Sequence, residues 1–348
     1  MIKPLIAFYD TRSYDREFFS AILKDYPFDI RFLSVHLSAD TAGMAKDCVA
    51  ACVFVNDTVD SKTVAALRDN KVGLVAMRCA GYNNVDLKAA YGAMHVVRVP
   101  AYSPYAVAEH AAALVLTLNR KTHRAYNRVR DGNFTLDGLL GYDLHGRTAG
   151  IIGTGRIGRC LVNILKGFGM KILAYDAFPD QTYAADNGVS YVDLPTIYRE
   201  AQIISLHCPL TPQTRHLVND QAFEQMRDGV MLINTGRGEL LDTRALIRAL
   251  KSGRVGAAGL DVYEEEGEYF FEDLSSRVVA DDVLARLLTF PNVIITAHQA
   301  FFTRDAMQSI ARTTLDNIQD YLSGGFLPNE ICYRCEKNCV KKDKQRCF

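Results

Sequence analysis

The sequence predicts an α/β protein made of two Rossmann-like domains, each a doubly wound parallel sheet, with the second domain inserted into the first. Strand-sized apolar runs alternate with helix-like patterns through the first hundred residues. A glycine-rich turn joins a strand to a helix near residue 153, and the alternation then continues to residue 297. A chain of 348 residues is also too long for one small core, so two domains are expected.

In the first domain, apolar runs predict strands at 4–9, 28–33, 52–55, 72–78 and 95–99, and helix-like patterns lie at 14–25, 61–70 and 86–92. Ser103 is a candidate cap for a long helix that has Pro104 at its first position. The apolar face of that helix is longer than a surface helix needs, so we expect half of it to form a subunit interface in a homodimer or a dimer of dimers. Its apolar residues are Val107, Ala111, Leu114, Val115 and Leu118.

The second domain begins with a short strand that ends at Ile152 and an amphipathic helix that carries Ile157, Leu161, Ile164, Leu165 and Phe168. Further strands are predicted at 171–175, 189–192, 203–207, 231–234, 257–262 and 293–297. A last helix at 304–322 is expected to return to the first domain. We therefore predict one domain from 1–101 with 299–331, an inserted domain from 102–298, and a separate cysteine-rich segment from 332–348.

Between the first strand and helix of the inserted domain, Gly153, Gly155 and Gly158 form a G-x-G-x-x-G turn. Such a turn lets the backbone approach a pyrophosphate at the helix N-terminus. Asp176 ends the next strand, where a carboxylate accepts hydrogen bonds from a ribose 2′-hydroxyl and repels a 2′-phosphate. With no Arg or Lys at 177–180, the pattern predicts NAD rather than NADP. A tight turn that binds nothing would leave these residues unexplained.

The overall composition argues against several classes of partner. Forty basic residues balance forty acidic ones, which indicates neither nucleic-acid nor membrane-surface binding. No run of uncharged apolar residues is long enough to span a bilayer. The first residues lead into a strand without a signal-peptide pattern, and five of the nine cysteines are scattered as reduced thiols would be. We expect a cytoplasmic protein.

Three ionisable residues follow strands of the inserted domain, where open α/β sheets place their ligands. Arg237, flanked by glycines, is either a bidentate carboxylate clamp or a surface residue in a turn. Glu266 ends a run of three glutamates that, taken alone, is typical of a solvated acidic turn. His298 ends an apolar strand before two aromatic residues and is the best-placed histidine for a proton donor.

The other histidines receive plainer interpretations. His207 ends a strand and is a candidate for the wall of the cofactor groove, whereas His110 is expected to be structural or interfacial. The remaining five are interpreted as surface or turn residues: His36, His95, His123, His145 and His216.

Taken together, these motifs resemble the D-2-hydroxyacid dehydrogenase family over roughly residues 1–331. The matching segments are 78–86, 99–102, 153–158, 206–211, 234–238, 261–264 and 296–298. Within the family, segments 78–86, 206–211 and 270–273 most resemble the bacterial fermentative D-lactate dehydrogenases.

The resemblance implies a role for each matching residue. Arg237, Glu266 and His298 would be catalytic, and the amides of Ala80 and Gly81 and the side chain of Tyr102 would contact the substrate carboxylate. Phe301, together with Tyr102 and the loop near Val55 and Asn56, would decide how large a substrate fits. Arg156 and Ile157 would face the pyrophosphate, and Asp261 would meet the nicotinamide carboxamide. The groove would be lined by Cys208, Pro209, Thr214, Thr235 and Gly236.

The implied reaction is reversible reduction of pyruvate to D-lactate by NADH, with no metal required. A larger 2-oxo acid, such as phenylpyruvate or a branched-chain acid, is an alternative substrate. A non-catalytic NADH-sensing scaffold is the alternative from another class, and the presence of Arg237, Glu266 and His298 argues against it.

The segment after Ile331 departs from the family pattern. Cys332, Cys335, Cys339 and Cys347 are spaced C-x2-C-x3-C-x7-C, which fits no common zinc module. A thiophilic metal site, a redox thiol cluster and an inert appendage all remain open. The lysine-rich composition favours a poorly packed appendage.

Overall fold

The structure is a computed structural model that describes residues 3–334 and 346–347. The chain divides into two compact units, Met1–Ser103 with Thr303–Phe348, and Pro104–Phe302. Each unit holds a parallel sheet, which confirms the predicted α/β class. Within the described residues, none of the helices has the length and hydropathy that crossing a bilayer requires.

The first unit holds a five-stranded sheet. Its strands are β1 (Leu5–Phe8), β2 (Asp29–Phe32), β3 (Ala50–Val53), β4 (Leu74–Met77) and β5 (His95–Val97), and its first helices are α1 (Ser13–Leu23), α2 (Ser61–Asp69) and α3 (Leu87–Ala90). The strand order is β2-β1-β3-β4-β5. All four residues of β3 and of β4 are buried, as expected for the inner strands of a parallel sheet.

The second unit holds a seven-stranded sheet. Its strands are β6 (Thr148–Ile152), β7 (Lys171–Tyr175), β8 (Val189–Tyr191), β9 (Ile203–Leu206), β10 (Val230–Asn234), β11 (Val255–Leu260) and β12 (Val293–Ile295). Its helices are α4 (Pro104–Arg120), α5 (Thr122–Arg130), α6 (Arg156–Gly167), α7 (Gln181–Asn187), α8 (Leu194–Glu200), α9 (Asp220–Gln225), α10 (Thr243–Ser252) and α11 (Asp282–Leu288). The strand order is β12-β11-β10-β9-β6-β7-β8.

The carboxyl ends of five neighbouring strands in this sheet lie in one row. The paired last residues are Ile152, Leu206, Asn234, Leu260 and Ile295. Each segment that follows one of these strands therefore leaves the sheet at the same edge. Ligands of open α/β sheets bind at this edge, so the motifs that follow the strands are placed to form a site.

Helix α4 differs from the sequence prediction in what its apolar face does. Half of this face was expected to form a subunit interface, but all five of its predicted apolar residues are at most 5% exposed within this unit. Ala111, Leu114, Val115 and Leu118 pack in one core with Leu161 and Leu165 of α6. Phe168, which was predicted to lie on the apolar face of α6, is 39% exposed just after that helix. The exposed apolar side chains lie further along the chain, at Tyr126, Val129, Phe134, Leu136 and Leu140.

The last helix, α12 (Arg304–Leu322), belongs to the first unit. Beyond it, Glu330 bridges Val97 of β5, and the peptide N–H of Cys347 donates to the Glu330 carboxylate at 2.7 Å. Cys347 is 4% exposed. The prediction of a poorly packed appendage is therefore wrong for Cys347, which is buried against this unit, whereas Tyr333 is 42% exposed. Cys335 and Cys339 lie outside the described residues.

Candidate active site

The glycine turn after β6 is shaped by close backbone packing. Gly153 has a φ of +98°, and a Cβ there would lie 2.5 Å from the peptide nitrogen of Cys208. A Cβ on Gly158 would lie 2.1 Å from the carbonyl oxygen of Gly153, but one on Gly155 would meet nothing within 4 Å. The first and third glycines thus allow the backbone to pack closely in the turn. The space beside the second glycine, Gly155, is empty. Arg156 and Ile157 begin α6, so their amides have no intrahelical acceptor and can bind phosphate oxygens.

Asp176 follows β7 and is held by hydrogen bonds from three groups. Its Oδ2 accepts from the peptide nitrogen of Thr154 at 2.7 Å and from the Thr154 hydroxyl at 2.9 Å, and its Oδ1 accepts from the peptide nitrogen of Phe178 at 2.9 Å. The Thr154 hydroxyl also contacts the Tyr191 hydroxyl at 2.7 Å. Burial raises the pKa of Asp176, but these hydrogen bonds outweigh burial and hold the pKa below its ordinary value. The sequence analysis did not identify Thr154 or Tyr191 as supports for this carboxylate.

Arg159 is a second feature that the sequence analysis missed. No Arg or Lys lies at 177–180, but Arg159 on α6, seventeen positions before Asp176, contributes a positive charge that lowers the pKa of Asp176. Its guanidinium donates to the carbonyl oxygen of Thr154 at 2.9 Å and to Asp180 at 2.8 Å. Asp180 therefore forms an ion pair with the arginine that acts on Asp176.

The segment after β9 carries two titratable side chains, His207 and Cys208, that are uncharged at neutral pH. Burial lowers the pKa of His207 to about 4, and its Nε2 lies 2.8 Å from the Ser205 hydroxyl. Burial also raises the pKa of Cys208 to about 11. At neutral pH the histidine is therefore a neutral imidazole and the cysteine a protonated thiol. The Thr214 hydroxyl donates to the carbonyl oxygen of Pro209 at 2.7 Å and closes the loop that follows.

Thr235 and Gly236 directly follow β10. Thr235 is 7% exposed, and its buried hydroxyl has no hydrogen-bond partner among the described residues. The amide of Gly236 donates to the Asn234 side chain at 3.1 Å, which fixes the backbone next to that hydroxyl. Buried hydroxyls are normally hydrogen-bonded, so the Thr235 hydroxyl can accept a hydrogen bond from a ligand or donate one to it, and its contact with the cofactor stays a prediction.

Arg237 follows directly and starts a 3₁₀ turn at Gly238–Leu240. Its carbonyl oxygen accepts from the Asn234 side chain at 2.8 Å, and a Cβ on Gly238 would lie 2.2 Å from the backbone of Tyr263. The arginine is thus held against the loop that follows β11. Its guanidinium donates to the carbonyl oxygen of Gly236 at 2.7 Å, its one hydrogen bond among the described residues, so other N–H groups remain for an anion.

Asp261 directly follows β11 and accepts hydrogen bonds from the turn after β12. Its fully buried carboxylate accepts from the Thr296 hydroxyl at 2.5 Å and from the amides of Gln299 and Ala300, both at 2.9 Å. The Asp261 carbonyl oxygen accepts from the amide of His298 at 2.7 Å. His298 has a φ of +50°, a left-handed conformation that few non-glycine residues adopt. The structure uses the Asp261 carboxylate to hold this turn, and its contact with a nicotinamide stays a prediction.

His298 and Glu266 form a hydrogen-bonded pair, with 2.8 Å between Nδ1 and Oε1. The other oxygen of Glu266 accepts from the amide of Tyr263 at 3.1 Å. Glu264 faces elsewhere, because it accepts from His216 at 2.6 Å and from the amide of Thr243 at 2.8 Å. Among the described residues Nε2 of His298 has no partner. A carboxylate on Nδ1 with Nε2 left open is an arrangement that can carry a proton to or from a substrate.

The predicted substrate contacts of the first unit lie in the loop after β4. The carbonyl oxygen of Ala80 accepts from Arg98 at 2.7 Å, and that of Gly81 accepts from the Cys79 thiol at 3.3 Å. The amides of Ala80 and Gly81 have no acceptor within the described part of the chain and remain available to an anion. Tyr102 lies in the segment between β5 and α4, and Phe301, in the second unit, is 8% exposed.

The chain resembles known proteins in sequence and in structure. Residues 112–300 match the model of the NAD binding domain of D-isomer specific 2-hydroxyacid dehydrogenases. The D-lactate dehydrogenase of Escherichia coli is 50% identical over 327 residues, which cover 94% of this chain and 99% of the relative. Its apo-structure matches with a TM-score of 0.87 at 47% identity, over 94% of this chain and 99% of that one.

Two further structures resemble this chain over most of its length. The pyruvate reductase of Chlamydomonas reinhardtii has a TM-score of 0.89 at 42% identity and covers 94% of this chain and 98% of its own. The D-lactate dehydrogenase of Lactobacillus jensenii with NAD⁺ has a TM-score of 0.79 at 30% identity and covers 94% and 99%. The chain therefore belongs to the D-isomer specific 2-hydroxyacid dehydrogenase family, oxidoreductases that have an NAD-binding domain and act on a CH–OH group.

Proposed function

We propose that this protein reduces pyruvate to D-lactate with NADH and catalyses the reverse oxidation. The names of two relatives support this choice of substrate: the Escherichia coli protein is a D-lactate dehydrogenase, and the Chlamydomonas reinhardtii protein is a pyruvate reductase. Their high identity, 50% and 42%, makes a shared substrate the simplest expectation.

The observation that carries the proposal is the pairing of His298 with Glu266 at the carboxyl edge of the seven-stranded sheet. In pyruvate reduction, protonated His298 donates its Nε2 proton to the ketone oxygen. In lactate oxidation, the neutral ring accepts the hydroxyl proton at the same atom. Glu266 keeps the ring oriented through Nδ1 and stabilises its positive charge.

Other proposed contacts hold the substrate. The Arg237 guanidinium binds the carboxylate and stabilises negative charge that develops on the ketone oxygen. The amides of Ala80 and Gly81 and the side chain of Tyr102 are assigned to the same carboxylate. Phe301 is assigned to the pocket around the methyl group, where an aromatic ring favours a small 2-oxo acid.

The residues around the glycine turn fit a dinucleotide, as the orphaned Thr235 hydroxyl and the open face at Gly155 indicate. We assign the pyrophosphate to the amides of Arg156 and Ile157 and the adenosine ribose to Asp176. His207, Cys208, Pro209, Thr214 and Gly236 line the remaining groove, with Asp261 beside the nicotinamide. The ionised Asp176 and the pairing of Arg159 with Asp180 favour NADH over NADPH. When bound, the nicotinamide supplies hydride to the ketone carbon.

The exposed apolar residues between 126 and 140 support a proposed homodimer or dimer of dimers. Phe134, Leu136 and Leu140 are 74%, 82% and 88% exposed. Apolar side chains this exposed and this close in sequence are typical of interaction surfaces. Sedimentation of Leu136→Asp against the wild-type protein tests this, and the variant is expected to shift to a smaller species.

The experiment that tests the proposed function is a kcat/KM panel of 2-oxo acids with NADH and with NADPH. We expect the highest value for pyruvate with NADH, and chiral chromatography should identify the product as D-lactate. A value at least tenfold higher for phenylpyruvate or a branched-chain acid would replace the substrate. Absence of turnover with all of them, together with intact NADH binding, would indicate a non-catalytic sensor.

A further inference from the structure

The second unit has a cavity at the edge of its sheet opposite the candidate active site. The cavity has a volume of about 140 Å³. One side of it is lined by residues near the starts of β10 and β11 and just before β12, among them Met231, Ala257 and Asn292. The cofactor and substrate motifs of this unit follow the other ends of these strands. The cavity therefore lies outside the proposed dehydrogenase site and calls for a separate explanation.

The other side of this cavity carries basic side chains and no acidic one. Lys121, His123 and Arg124 come from the junction of α4 and α5. None of the described residues that line the cavity is an aspartate or a glutamate, and Leu118 and Pro291 belong to its apolar walls. A cleft that has charges of one sign and apolar walls concentrates the electric field of those charges. This cavity therefore attracts an anion.

Arg124 is half-buried at the cavity and has no counter-ion among the described residues. None of them forms an ion pair or a hydrogen bond with its guanidinium. In contrast, Arg159, Arg215 and Arg248 of the same unit each pair with a carboxylate, at 2.8, 3.1 and 2.6 Å. A guanidinium stays charged at neutral pH and offers several N–H donors, so that of Arg124 is available to an anion in the cavity.

His123 adds a second polar group without a partner. Its buried Nδ1 has no hydrogen-bond partner among the described residues, although buried ring nitrogens normally have one. Burial lowers the pKa of His123, and the charge of Arg124 lowers it further, so the ring is neutral at neutral pH. A nitrogen of a neutral imidazole either donates or accepts a hydrogen bond. Hydrogen phosphate meets both roles, because it carries acceptor oxygens and a hydroxyl.

Side-chain hydrogen bonds hold the walls of the cavity in place. The Asn119 side chain donates to the carbonyl oxygen of Tyr142 at 2.7 Å and accepts from the amide of Tyr142 at 3.0 Å. The Lys121 ammonium donates to the carbonyl oxygen of Leu140, and its remaining N–H groups are left for a ligand. The chain itself thus shapes the cavity, which reduces the entropy lost when a ligand binds.

We propose that this cavity binds a small divalent oxyanion, of which hydrogen phosphate is the best match. The charges of Lys121 and Arg124 balance those of the anion, and Nδ1 of His123 takes the remaining hydrogen bond. Residues 140–142 line the same cavity, so a bound anion also ties this segment to α5. The site is independent of the proposed pyruvate reduction, so either proposal can fail without the other.

The test is isothermal titration calorimetry of inorganic phosphate into the full-length protein at constant ionic strength. NADH is present at saturation, so that phosphate does not bind at the proposed pyrophosphate site. We expect saturable binding at a single site per chain. Arg124→Gln should weaken it about 10–100-fold, as expected for loss of a charged hydrogen-bond donor, and Arg124→Lys should weaken it less. Arg130→Gln is the matched control, because it removes the same charge from the other end of α5, and its affinity should stay within about twofold.

Thermal unfolding provides a second readout and shows that each variant is folded. Phosphate should raise the Tm of the wild type and of Arg130→Gln more than that of Arg124→Gln, because a ligand stabilises the folded state that binds it. A parallel titration with succinate distinguishes a phosphate from a dicarboxylate, and tighter binding of succinate would replace hydrogen phosphate as the ligand. Absence of saturable binding of both anions would overturn the proposal. So would an unchanged phosphate affinity in folded Arg124→Gln.

Discussion

Two histidine–carboxylate pairs in this protein have similar geometry and different surroundings. His298 and Glu266 are 2.8 Å apart in the second unit, and His95 and Glu330 are 2.6 Å apart in the first. The side chains of the first pair are 18% and 23% exposed, whereas Glu330 is 1% exposed. The distance alone does not distinguish a proton-transfer pair from a structural one. The contacts that surrounding residues make with each pair distinguish them.

The residues around His298 leave its Nε2 available for proton transfer. The ring is attached to left-handed backbone that Asp261 holds, and the described residues occupy only Nδ1. In contrast, the Glu330 carboxylate is 1% exposed and accepts from the amide of Cys347 as well as from His95, so it joins the end of the chain to β5. The first pair is therefore assigned to the reaction, and the second to anchoring the segment beyond Ile331.

The largest predicted difference between the pairs is in turnover. His298→Gln should lower kcat for pyruvate reduction about 10²–10⁴-fold, as expected for loss of a general acid. His95→Gln, the matched variant in the other pair, should leave kcat within about twofold. Steady-state kinetics with NADH measures both. Equal losses in the two variants would contradict the assignment.

Arg237→Lys tests whether Arg237, in the second unit, binds the substrate carboxylate. The change keeps the charge and removes the planar fork, so kcat/KM for pyruvate should fall about 10²–10³-fold while NADH affinity stays the same. Arg248→Lys is the control, since Arg248 makes a bidentate pair with Asp220 on the surface at 2.9 Å and 2.6 Å. Near-normal turnover of Arg237→Lys would remove this arginine from the site.

Asp176→Ala should weaken NADH binding about 10–100-fold, since it removes a charged hydrogen-bond acceptor. The loss of negative charge near Arg159 should also relax discrimination against NADPH. Fluorescence titration with both cofactors measures the two effects. Asp193→Ala, which removes the cap of α8, should leave the cofactor preference unchanged. A wild-type preference for NADPH would show that Asp176 has been misassigned.

Glu330→Gln should lower the free energy of unfolding by about 2 kcal/mol near neutral pH and leave turnover unchanged. Burial raises the pKa of Glu330, but the hydrogen bonds from His95 and Cys347 outweigh it, so the net pKa is lowered. A carboxyl group with a lowered pKa in the folded state stabilises the fold above its unfolded-state pKa, and this contribution disappears as pH falls through the folded-state pKa. Denaturant unfolding should therefore show a wild-type advantage that shrinks in acid. An advantage that does not change with pH would contradict it.

The sequence predicted the positions of the strands and the residues that follow them, but it did not predict the order of the strands within either sheet. Gly153, Arg237 and His298 were found because each stands where an apolar strand stops, and the row of aligned strand ends explains why they share one edge. Strand β3 was placed two residues late, at 52–55 in place of Ala50–Val53, because the buried alanines at its start give a weak apolar signal.

Contacts between distant residues account for what the sequence did not predict. His95 was interpreted as a surface or turn residue, and this was wrong, because it begins β5 and pairs with Glu330, 235 positions away. The support of Asp176 by Tyr191 and the burial of Cys347 have the same origin. No local pattern encodes such pairs, since each depends on how the sheet brings separate segments together.

The most direct test of the central claim is the pH dependence of pyruvate reduction in Glu266→Gln. Reduction needs a proton on Nε2 of His298, and the variant removes the carboxylate that pairs with Nδ1, so the upper pH limit of pyruvate reduction should move down. Glu264→Gln is the control in the same loop, because Glu264 pairs with His216 instead, and it should leave the limit in place. An unshifted profile in Glu266→Gln, or an equal shift in Glu264→Gln, would contradict the account.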